Sequence, residues 1–262
     1  MENEGIGKGT ARRVPGGKLV TRVYANRALM GGAAADMVSE KINLLLNQQE
    51  FVNIIFASAP SQNEFLTFLS EKKTIDWKRV VAFHMDEYIE LHENDSRTFA
   101  SFLNKKIFGP VKFRSVNYIN GNAPNIGAEC RRYAKLLAEH PLDIVCLGIG
   151  ENGHLAFNDP HVADFNDPSM VKMVRLDAAC RQQQVNDGCF AELGQVPGYA
   201  ISLTIPALMA GKYIYGVVPG EKKAKAVYNT VHSEIIEKYP STILRKHDNA
   251  ILFLDKSSSS LL

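Results

Sequence analysis

Two short segments of the chain combine the residue types that proton transfer requires. Residues 148–160, GIGENGHLAFNDP, place three glycines after a short apolar run and follow them with His154 and Asp159. An imidazole has an unperturbed pKa of about 6.5, so His154 can exchange protons near neutral pH. Asp159 could hold one imidazole N–H and fix the tautomer. Residues 83–88, FHMDEY, place Asp86 directly after a buried strand, where burial can raise the pKa of a carboxyl group and make it a base.

Each of these residues also has a structural interpretation, and both interpretations stay open at this point. Gly148, Gly150 and Gly153 match the dinucleotide fingerprint G-x-G-x-x-G, but the segment lies mid-chain and continues into a poor helix. A tight turn that needs positive φ would explain the same glycines without a ligand. The stretch 158–160 could be an Asx turn, and Asp86 could cap a helix or a turn.

Two further segments could bind an anion. Ser58, Ala59 and Ser61 lie where a buried strand passes into a helix, and Lys223 follows a later strand. Hydroxyl groups, the free amides of a helix start and a lysine ammonium together suit a phosphate. The plain alternative is that Lys222 and Lys223 form a solvated pair at a helix start.

The elements that must position these residues alternate between strand and helix. Apolar or alternating runs predict strands, while helical spacing and capping residues such as Asn26 and Ser96 predict helices. The predicted strands are 18–24, 51–57, 77–83, 116–119, 142–147, 199–203, 212–218 and 250–254. The predicted helices are 27–47, 96–108, 128–140, 206–210 and 221–231, together with one that begins in the turn 58–64 and ends at residue 70.

This alternation predicts the α/β class, with a single domain built on a mainly parallel sheet and helices on both faces. The carboxyl ends of parallel strands lie along one edge, so the four segments should meet in one cleft. Glu87 should point away from that cleft, because neighbouring residues of a strand face opposite sides. We expect a loose arm at 1–18, the catalytic domain at 19–256 and a flexible tail at 257–262.

Composition narrows the class of partner and the compartment. The net charge is +2, with 30 Lys and Arg against 28 Asp and Glu, which gives no reason to expect nucleic acid or a membrane surface. No apolar run is long enough to cross a membrane, and the polar start does not resemble a signal peptide. Cys130, Cys146, Cys180 and Cys189 show no C-x-x-C spacing, which favours a reduced, cytoplasmic protein.

The two proton-transfer segments resemble those of the glucosamine-6-phosphate deaminase family, within the wider group that includes the 6-phosphogluconolactonases. Residues 85–88 look like the family's M-D-E-Y segment, and residues 148–160 look like its G-x-G-x-D-G-H-I-A-F-N-E-P segment. Weaker similarity extends from about residue 18 to residue 254. The lactonases share the Gly-Gly-His loop but usually lack M-D-E-Y and A-F-N, so the resemblance favours the aminosugar branch.

The resemblance implies a Rossmann-like fold of the deaminase/isomerase type and a mechanism. His154 would open the pyranose ring, and Asp86 would carry a proton between C2 and C1, so that a hexosamine 6-phosphate becomes fructose 6-phosphate, or its epimer, and ammonia. Asn152 and Asp159 would support His154. The implied substrate-binding residues are Ser58, Ala59, Ser61, Gly148, Gly150, Gly153, Ala156 and Lys223. The only implied partner is a small sugar phosphate, no metal or organic cofactor is implied, and a homo-oligomer is left open.

The chain departs from the family pattern close to the expected chemistry. Asn152 replaces an aspartate, Asp159 replaces a glutamate, and the T-G-G-T phosphate loop is SAPS at 58–61. An amide can accept an imidazole N–H bond but carries no charge. Arg181 lies near the family's second phosphate-binding arginine in the sequence but does not align with it. These changes predict slower turnover of glucosamine 6-phosphate, and they leave open a lactonase-like hydrolase with His154 activating water, or a non-catalytic sugar-phosphate sensor.

Overall fold

A computed structural model describes residues 9–92 and 94–262. The strands are β1 Thr10–Arg13, β2 Val20–Tyr24, β3 Val52–Phe56, β4 Val80–His84, β5 Asp86–Tyr88, β6 Ser115–Asn117, β7 Ile144–Leu147, β8 Val171–Arg175, β9 Tyr199–Leu203, β10 Tyr213–Val218 and β11 Ala250–Asp255. The α-helices are α1 Arg27–Leu46, α2 Asn63–Ser70, α3 Phe99–Leu103, α4 Ile126–Glu139, α5 Ala178–Asn186, α6 Ile205–Met209 and α7 Ala224–His232.

The central sheet has the strand order β1-β2-β11-β10-β7-β3-β4-β6. Every neighbouring pair is parallel except β1 and β2. β3 is mainly apolar because both of its faces are covered. Val52, Ile54 and Phe56 pack with α1 and α2, whereas Ile55, and Ala57 just after the strand, pack in the cluster that contains residues of α4, α6 and α7. Both faces are therefore covered by helices, which confirms the predicted fold class.

The chain changes direction within this sheet between β3 and β7. After β3 it adds β4 and β6 on one side, and it returns to place β7 on the other side of β3. The loops that leave two such neighbouring strands diverge, and open α/β sheets bind ligands in the crevice between them. The segments at 57–61 and 148–160 leave the sheet at this point.

A second, antiparallel sheet with the order β5-β9-β8 was not predicted from the sequence. β5 follows β4 after a single residue, Met85, and pairs with β9 so that Asp86 lies opposite Ser202. The side-chain amide of Asn158 ties the loop that follows β7 to the small sheet, because it donates to the carbonyls of Leu155 in that loop and Leu203 in β9 at 2.8 Å each.

The structure confirms the predicted cap of α1 and corrects the predicted cap of α3. The Asn26 side chain accepts the N–H of Leu29 at the start of α1, as expected. Ser96 does not cap α3: Thr98 does, by accepting the N–H of Ser101 at 3.1 Å. Ser96 lies instead inside a turn in which the Thr98 N–H donates to the Asp95 carbonyl.

The two chain ends differ from the predicted loose arm and flexible tail. β1 covers the outer edge of β2, and the hairpin closes through a bond from the Val14 N–H to the Leu19 carbonyl. Residues 1–8 of the arm lie outside the described residues. At the other end, Ser258 is fully buried and exchanges hydrogen bonds with Asp255. An unpaired strand edge and a buried hydroxyl each need a partner, which holds these segments to the sheet. Among the described residues, none of the helices is long and apolar enough to cross a membrane.

Candidate active site

A cavity, named here the His154 cavity, lies at the carboxyl edge of the parallel strands and is bordered by the first residue of β5. Most of the site residues predicted from the sequence line it: Ser58, Ala59, Ser61, Asp86, Gly148, Gly150, His154, Ala156 and Lys223. The four separated segments therefore meet, as the parallel sheet predicted. Gly153, Asn152 and Asp159 do not line the cavity and lie behind it.

Two side chains hold the His154 ring from behind. Its Nδ1 is 2.8 Å from Oδ1 of Asn152 and 3.0 Å from Oδ1 of Asp159. The Asn152 amide also donates to that Asp159 oxygen at 2.7 Å, which fixes Asn152 with its own oxygen toward the imidazole. Two acceptors at Nδ1 keep the proton there, so Nε2 carries the lone pair. The departures from the family pattern therefore preserve the support of His154, and the shorter Asp159 still reaches the ring.

Asp159 is fully buried yet remains ionised. Burial alone raises the pKa of Asp159, but the charge and hydrogen bonds of His154, with the Asn152 amide and Cys180, outweigh it and lower the pKa from 3.8 to about 2. Among the described residues, the Asp159 carboxylate is thus a negative charge in direct contact with Nδ1 of the imidazole.

We expect Asp159→Asn to destabilise the fold and to slow turnover. The pKa of Asp159 is about 2 in the folded protein and 3.8 in the unfolded chain, so the ionised carboxylate contributes roughly 2 kcal/mol to the free energy of unfolding. Because the folded pKa is depressed, that contribution is complete above the unfolded value and is lost as the pH falls through the folded one. Denaturant unfolding of both proteins at neutral pH and at acid pH measures the difference. An equal decrease in the free energy of unfolding at both pH values would contradict the assignment of Asp159 as an ionised, stabilising carboxylate.

Asp86 lies in the cavity wall with unusual freedom for a buried carboxyl group. It is 6% exposed, and its Oδ1 accepts no hydrogen bond from any described residue. Burial, and next the charge of Glu87, raise the pKa of Asp86 well above its ordinary value. An unpartnered carboxylate with a raised pKa is suited to accept a proton, and the lack of an accepted hydrogen bond at Oδ1 gives no support to the alternative that Asp86 caps a turn.

The glycines of residues 148–153 have different structural tasks. A Cβ on Gly150 would lie 2.2 Å from Cε1 of His154, so only glycine lets the ring pack on that backbone. Gly153 has φ +89 and supplies the turn itself, and its carbonyl accepts the Ser241 N–H. Ala156 also has positive φ, 49, a conformation that costs energy for alanine. The tight-turn interpretation therefore holds for Gly153, whereas Gly148 and Gly150 line the cavity.

Two of the residues that line the cavity, Ser58 and Lys223, are suited to bind an anion. The Ser58 hydroxyl is buried without a hydrogen-bond partner in the part of the chain that the structure describes. Lys223 is 7% exposed, and none of the described carboxylates lies within ion-pair distance of it. Burial lowers the pKa of Lys223, while Asp187 and Glu151 act to raise it. A buried ammonium of this kind gains most from a bound anion.

Sequence reasoning missed the contribution of α5 to the cavity. Gln183, Gln184 and Asp187 line it, and Oε1 of Gln183 accepts the Glu151 N–H of the glycine-rich loop at 2.9 Å. The polar run at 182–184 was visible in the sequence, but only the fold shows that two of its members face the cavity. Arg181, on the same helix, turns away and donates to the Val196 and Leu193 carbonyls.

One group of side chains near the cavity has the composition of a metal site. The ligand atoms of His154, Asp159 and Cys180 lie within 4.8 Å of one another. The Nδ1 of His154 and Oδ1 of Asp159 are 3.0 Å apart and in direct contact, a hydrogen-bonding contact that an ion bound to both atoms would replace. The expectation that no metal is required stays a prediction.

Comparison with known proteins places this geometry in a family. The family model for glucosamine-6-phosphate isomerases and 6-phosphogluconolactonases matches residues 25–253. A glucosamine-6-phosphate deaminase of Streptococcus suis (strain 05ZYH33) is 33% identical over 92% of this chain and 98% of its own. One of Bacillus cereus (strain B4264) is 35% identical over 72% of this chain and 71% of its own.

Solved structures agree with these sequence relatives. A monomeric glucosamine-6-phosphate deaminase superposes with a TM-score of 0.84 at 25% identity, over 92% of this chain and 99% of that protein. A 6-phosphogluconolactonase of Thermotoga maritima shares the fold, with a TM-score of 0.75 at 18% identity over 91% of this chain and 100% of that one. The chain belongs to the family of glucosamine-6-phosphate isomerases and 6-phosphogluconolactonases.

Proposed function

We propose that this protein converts a hexosamine 6-phosphate into a ketose 6-phosphate, fructose 6-phosphate or its epimer, and ammonia. The observation that carries the proposal is the presence of two proton-transfer groups on one cavity: the free carboxylate of Asp86 and the supported imidazole of His154. Isomerisation of an amino sugar needs both, because the ring must open before a proton can leave C2. The named relatives, which are glucosamine-6-phosphate deaminases, support the same assignment.

His154 opens the ring in the proposed first step. Its Nε2 takes the proton of the anomeric hydroxyl and returns a proton to the ring oxygen, while the C1–O5 bond breaks and the aldehyde forms. The Nδ1 proton is held by Asn152 and Asp159 throughout. The ionised Asp159 stabilises the imidazolium that exists between the two transfers.

Asp86 moves the second proton. It removes the proton from C2, the electron pair forms the C1=C2 double bond, and the C1=O double bond opens so that its oxygen takes up a proton and becomes a hydroxyl. When the proton is returned from Asp86 to C1, the nitrogen lone pair forms a C2=N double bond, which leaves a CH2OH group at C1 and a protonated imine at C2. Water adds to this imine and ammonia departs, so the ketose is formed without a change in oxidation state overall. A carboxylate whose pKa is raised by burial accepts a proton from carbon more readily than an ordinary one.

In this proposal, Lys223 and Ser58 anchor the phosphate group of the substrate. Lys223 supplies the cation, and Ser58 supplies a hydroxyl donor that lacks a partner among the described residues. Arg181 is directed away from the cavity, so Lys223 is the lysine or arginine that the described part of the chain supplies to its lining. This fits the expectation of slower or weaker handling of glucosamine 6-phosphate than in relatives with a further arginine.

We expect Lys223→Met to raise KM for the sugar phosphate by roughly 10- to 100-fold, because hydrogen bonds to a charged partner are worth about 1.5–3 kcal/mol. The matched control is Lys222→Met, the neighbouring exposed lysine, whose KM should stay unchanged. Steady-state kinetics with varied substrate measure both. Equal effects of the two substitutions would show that only the overall charge matters.

A substrate panel tests the proposed function directly. Purified protein is incubated with glucosamine, galactosamine and mannosamine 6-phosphates, with hexose 6-phosphates and with 6-phosphogluconolactone, and ammonia, ketose and lactone hydrolysis are measured. Ammonia and ketose in equal amounts from an amino sugar are the expected result. Lactone hydrolysis that survives Asp86→Asn would instead favour a lactonase, and binding without turnover of any compound would favour a sensor.

A further inference from the structure

The two carboxylates of β5 face different cavities. Asp86 lines the His154 cavity, whereas Glu87 lines a separate cavity of about 240 Å³ on the other side of the strand, as the alternation of a strand predicted. That second space is bordered mainly by amide and hydroxyl side chains such as Asn104, Asn120 and Tyr118. Glu87 is 3% exposed, so a role as a solvated surface charge is excluded.

Three backbone groups fix the Glu87 carboxylate. Its Oε1 accepts the N–H groups of Tyr88 at 2.9 Å and Phe99 at 3.0 Å, and its Oε2 accepts the N–H of Ala100 at 2.9 Å. Phe99 in turn lines the His154 cavity. Glu87 therefore joins β5, which carries Asp86, to the first turn of α3, which supplies an aromatic wall of the same cavity.

We propose that Glu87 is a positioning residue for the proposed reaction, which anchors Asp86 and Phe99 at the wall of the His154 cavity and uses its negative charge to strengthen Asp86 as a base. The inference rests on the proposed function, because it assumes that Asp86 accepts a proton from substrate. Glu87 itself faces away from that cavity and touches no reacting atom.

The electrostatics follow from the adjacency of two buried carboxyl groups. Burial raises the pKa of Glu87 to about 7, although the N–H groups of Ala100, Phe99 and Tyr88 act to lower it. Burial and then the Glu87 charge raise the pKa of Asp86. Like charges that are close oppose each other's ionisation, so the two groups titrate as a pair. Removing the Glu87 charge must therefore lower the pKa of Asp86.

Few of the surrounding groups can change charge near neutral pH and obscure this effect. Those that face the pair are Tyr88 on β5, His84 on β4, Tyr133 on α4, Cys180 and Asp187 on α5, His154, Tyr118 and Lys223. Burial lowers the pKa of His84 to about 4 and raises the pKa values of Tyr88, Tyr133 and Cys180, so these four are neutral there. A substitution of Glu87 leaves the remaining groups in place.

The decisive comparison is Glu87→Gln against Thr98→Ala. Asp86 must be ionised to accept a proton, so kcat/KM falls as the pH drops through its pKa. Glu87→Gln should move this fall in kcat/KM, the acid limb of the pH profile, to lower pH by about one unit. It should also lower the maximum value of kcat/KM several-fold. Thr98→Ala removes the cap of α3, which accepts the Ser101 N–H, without altering the charge beside Asp86. It should lower the thermal midpoint and leave the acid limb in place.

The outcomes separate this inference from the proposed function. An acid limb that stays fixed in Glu87→Gln, or that moves equally in Thr98→Ala, would overturn the role of the charge. Full ammonia release by Asp86→Asn would instead overturn the proposed function.

If Glu87→Gln does not fold, carboxyl-carbon NMR titrations of the wild-type protein and Asp86→Asn decide the question. In the wild-type protein an aspartate should titrate at higher pH than a glutamate near pH 7, because Glu87 ionises first and its charge opposes the ionisation of Asp86. Asp86→Asn identifies the aspartate signal by removing it, and an Asp86 signal that titrates below the glutamate would refute the pairing.

Discussion

Asp86→Asn should reduce kcat/KM for ammonia release by roughly 10²- to 10⁴-fold, the usual contribution of a general base. The same substitution should stabilise the fold at neutral and alkaline pH. The pKa of Asp86 is raised on folding, so the wild-type protein loses stability as the pH rises above the unfolded value of 3.8, and asparagine does not. Activity and stability are thus expected to move in opposite directions. Steady-state assays and thermal unfolding across pH measure the two effects.

Asp143→Asn is the matched control, since Asp143 is a second buried aspartate with the opposite surroundings. It accepts hydrogen bonds from Lys212 at 2.8 Å and from the Gln49 side chain and the Asn53 N–H at 2.9 Å each. Removing its charge should destabilise the fold while each folded molecule keeps its turnover. Loss of turnover in both variants, or destabilisation by Asp86→Asn, would mean that Asp86 serves the fold rather than the chemistry.

His154→Ala is expected to cause a loss of similar size, about 10²- to 10⁴-fold in kcat/KM, because ring opening loses its proton shuttle. Added imidazole should restore part of the rate, since the substitution leaves a ring-sized space between Gly150 and the two acceptors of Nδ1. His161→Ala serves as the control: His161 is half-exposed, contacts Asp177 and lies outside the cavity. Assays with and without imidazole provide the measurement. No rescue together with an unaltered fold would argue that His154 does more than transfer protons.

The sequence was most informative where one physical signal dominated. Predominantly apolar runs identified β3, β7 and β10, because strands buried on both faces have no solvent-exposed side that would require regular polar residues. Alternation along a strand placed Asp86 and Glu87 on opposite sides, which the structure bears out. These signals are local, so the prediction needed no knowledge of distant contacts.

The antiparallel sheet could not be predicted in the same way. β8 reads VKMVR, and Met173 at its centre is 54% exposed, so the segment lacks a clear apolar face. β5 has three residues and ends next to Ile89, whose N–H bonds to the Tyr199 carbonyl. Such short strands exist because β9 pairs with both of them, and that pairing joins distant parts of the chain.

The site was predictable in its chemistry but not in its full lining. Asp86 and His154 belong to recognisable segments, whereas Gln183 and Asp187 reach the cavity only because α5 packs beside the glycine-rich loop. Gly153 was expected to contact substrate, and it lies behind the cavity, where it forms the turn. A glycine pattern alone does not distinguish a backbone that approaches a ligand from one that bends.

The position of Asp86 in the small sheet has a consequence for how the protein acquires its activity during synthesis. β5 pairs with β9, which follows β7 and the His154 loop in the chain, so Asp86, the proposed base, cannot be fixed until residues 199–203 have been made. A nascent chain that ends earlier already contains β3, β4 and β7 but cannot align its two proton-transfer groups. Pairings between remote segments form late and slowly in folding. The enzyme is therefore expected to be inactive while it is still being synthesised on the ribosome. Recovery of activity after refolding reports the formation of contacts between segments that are far apart in the sequence.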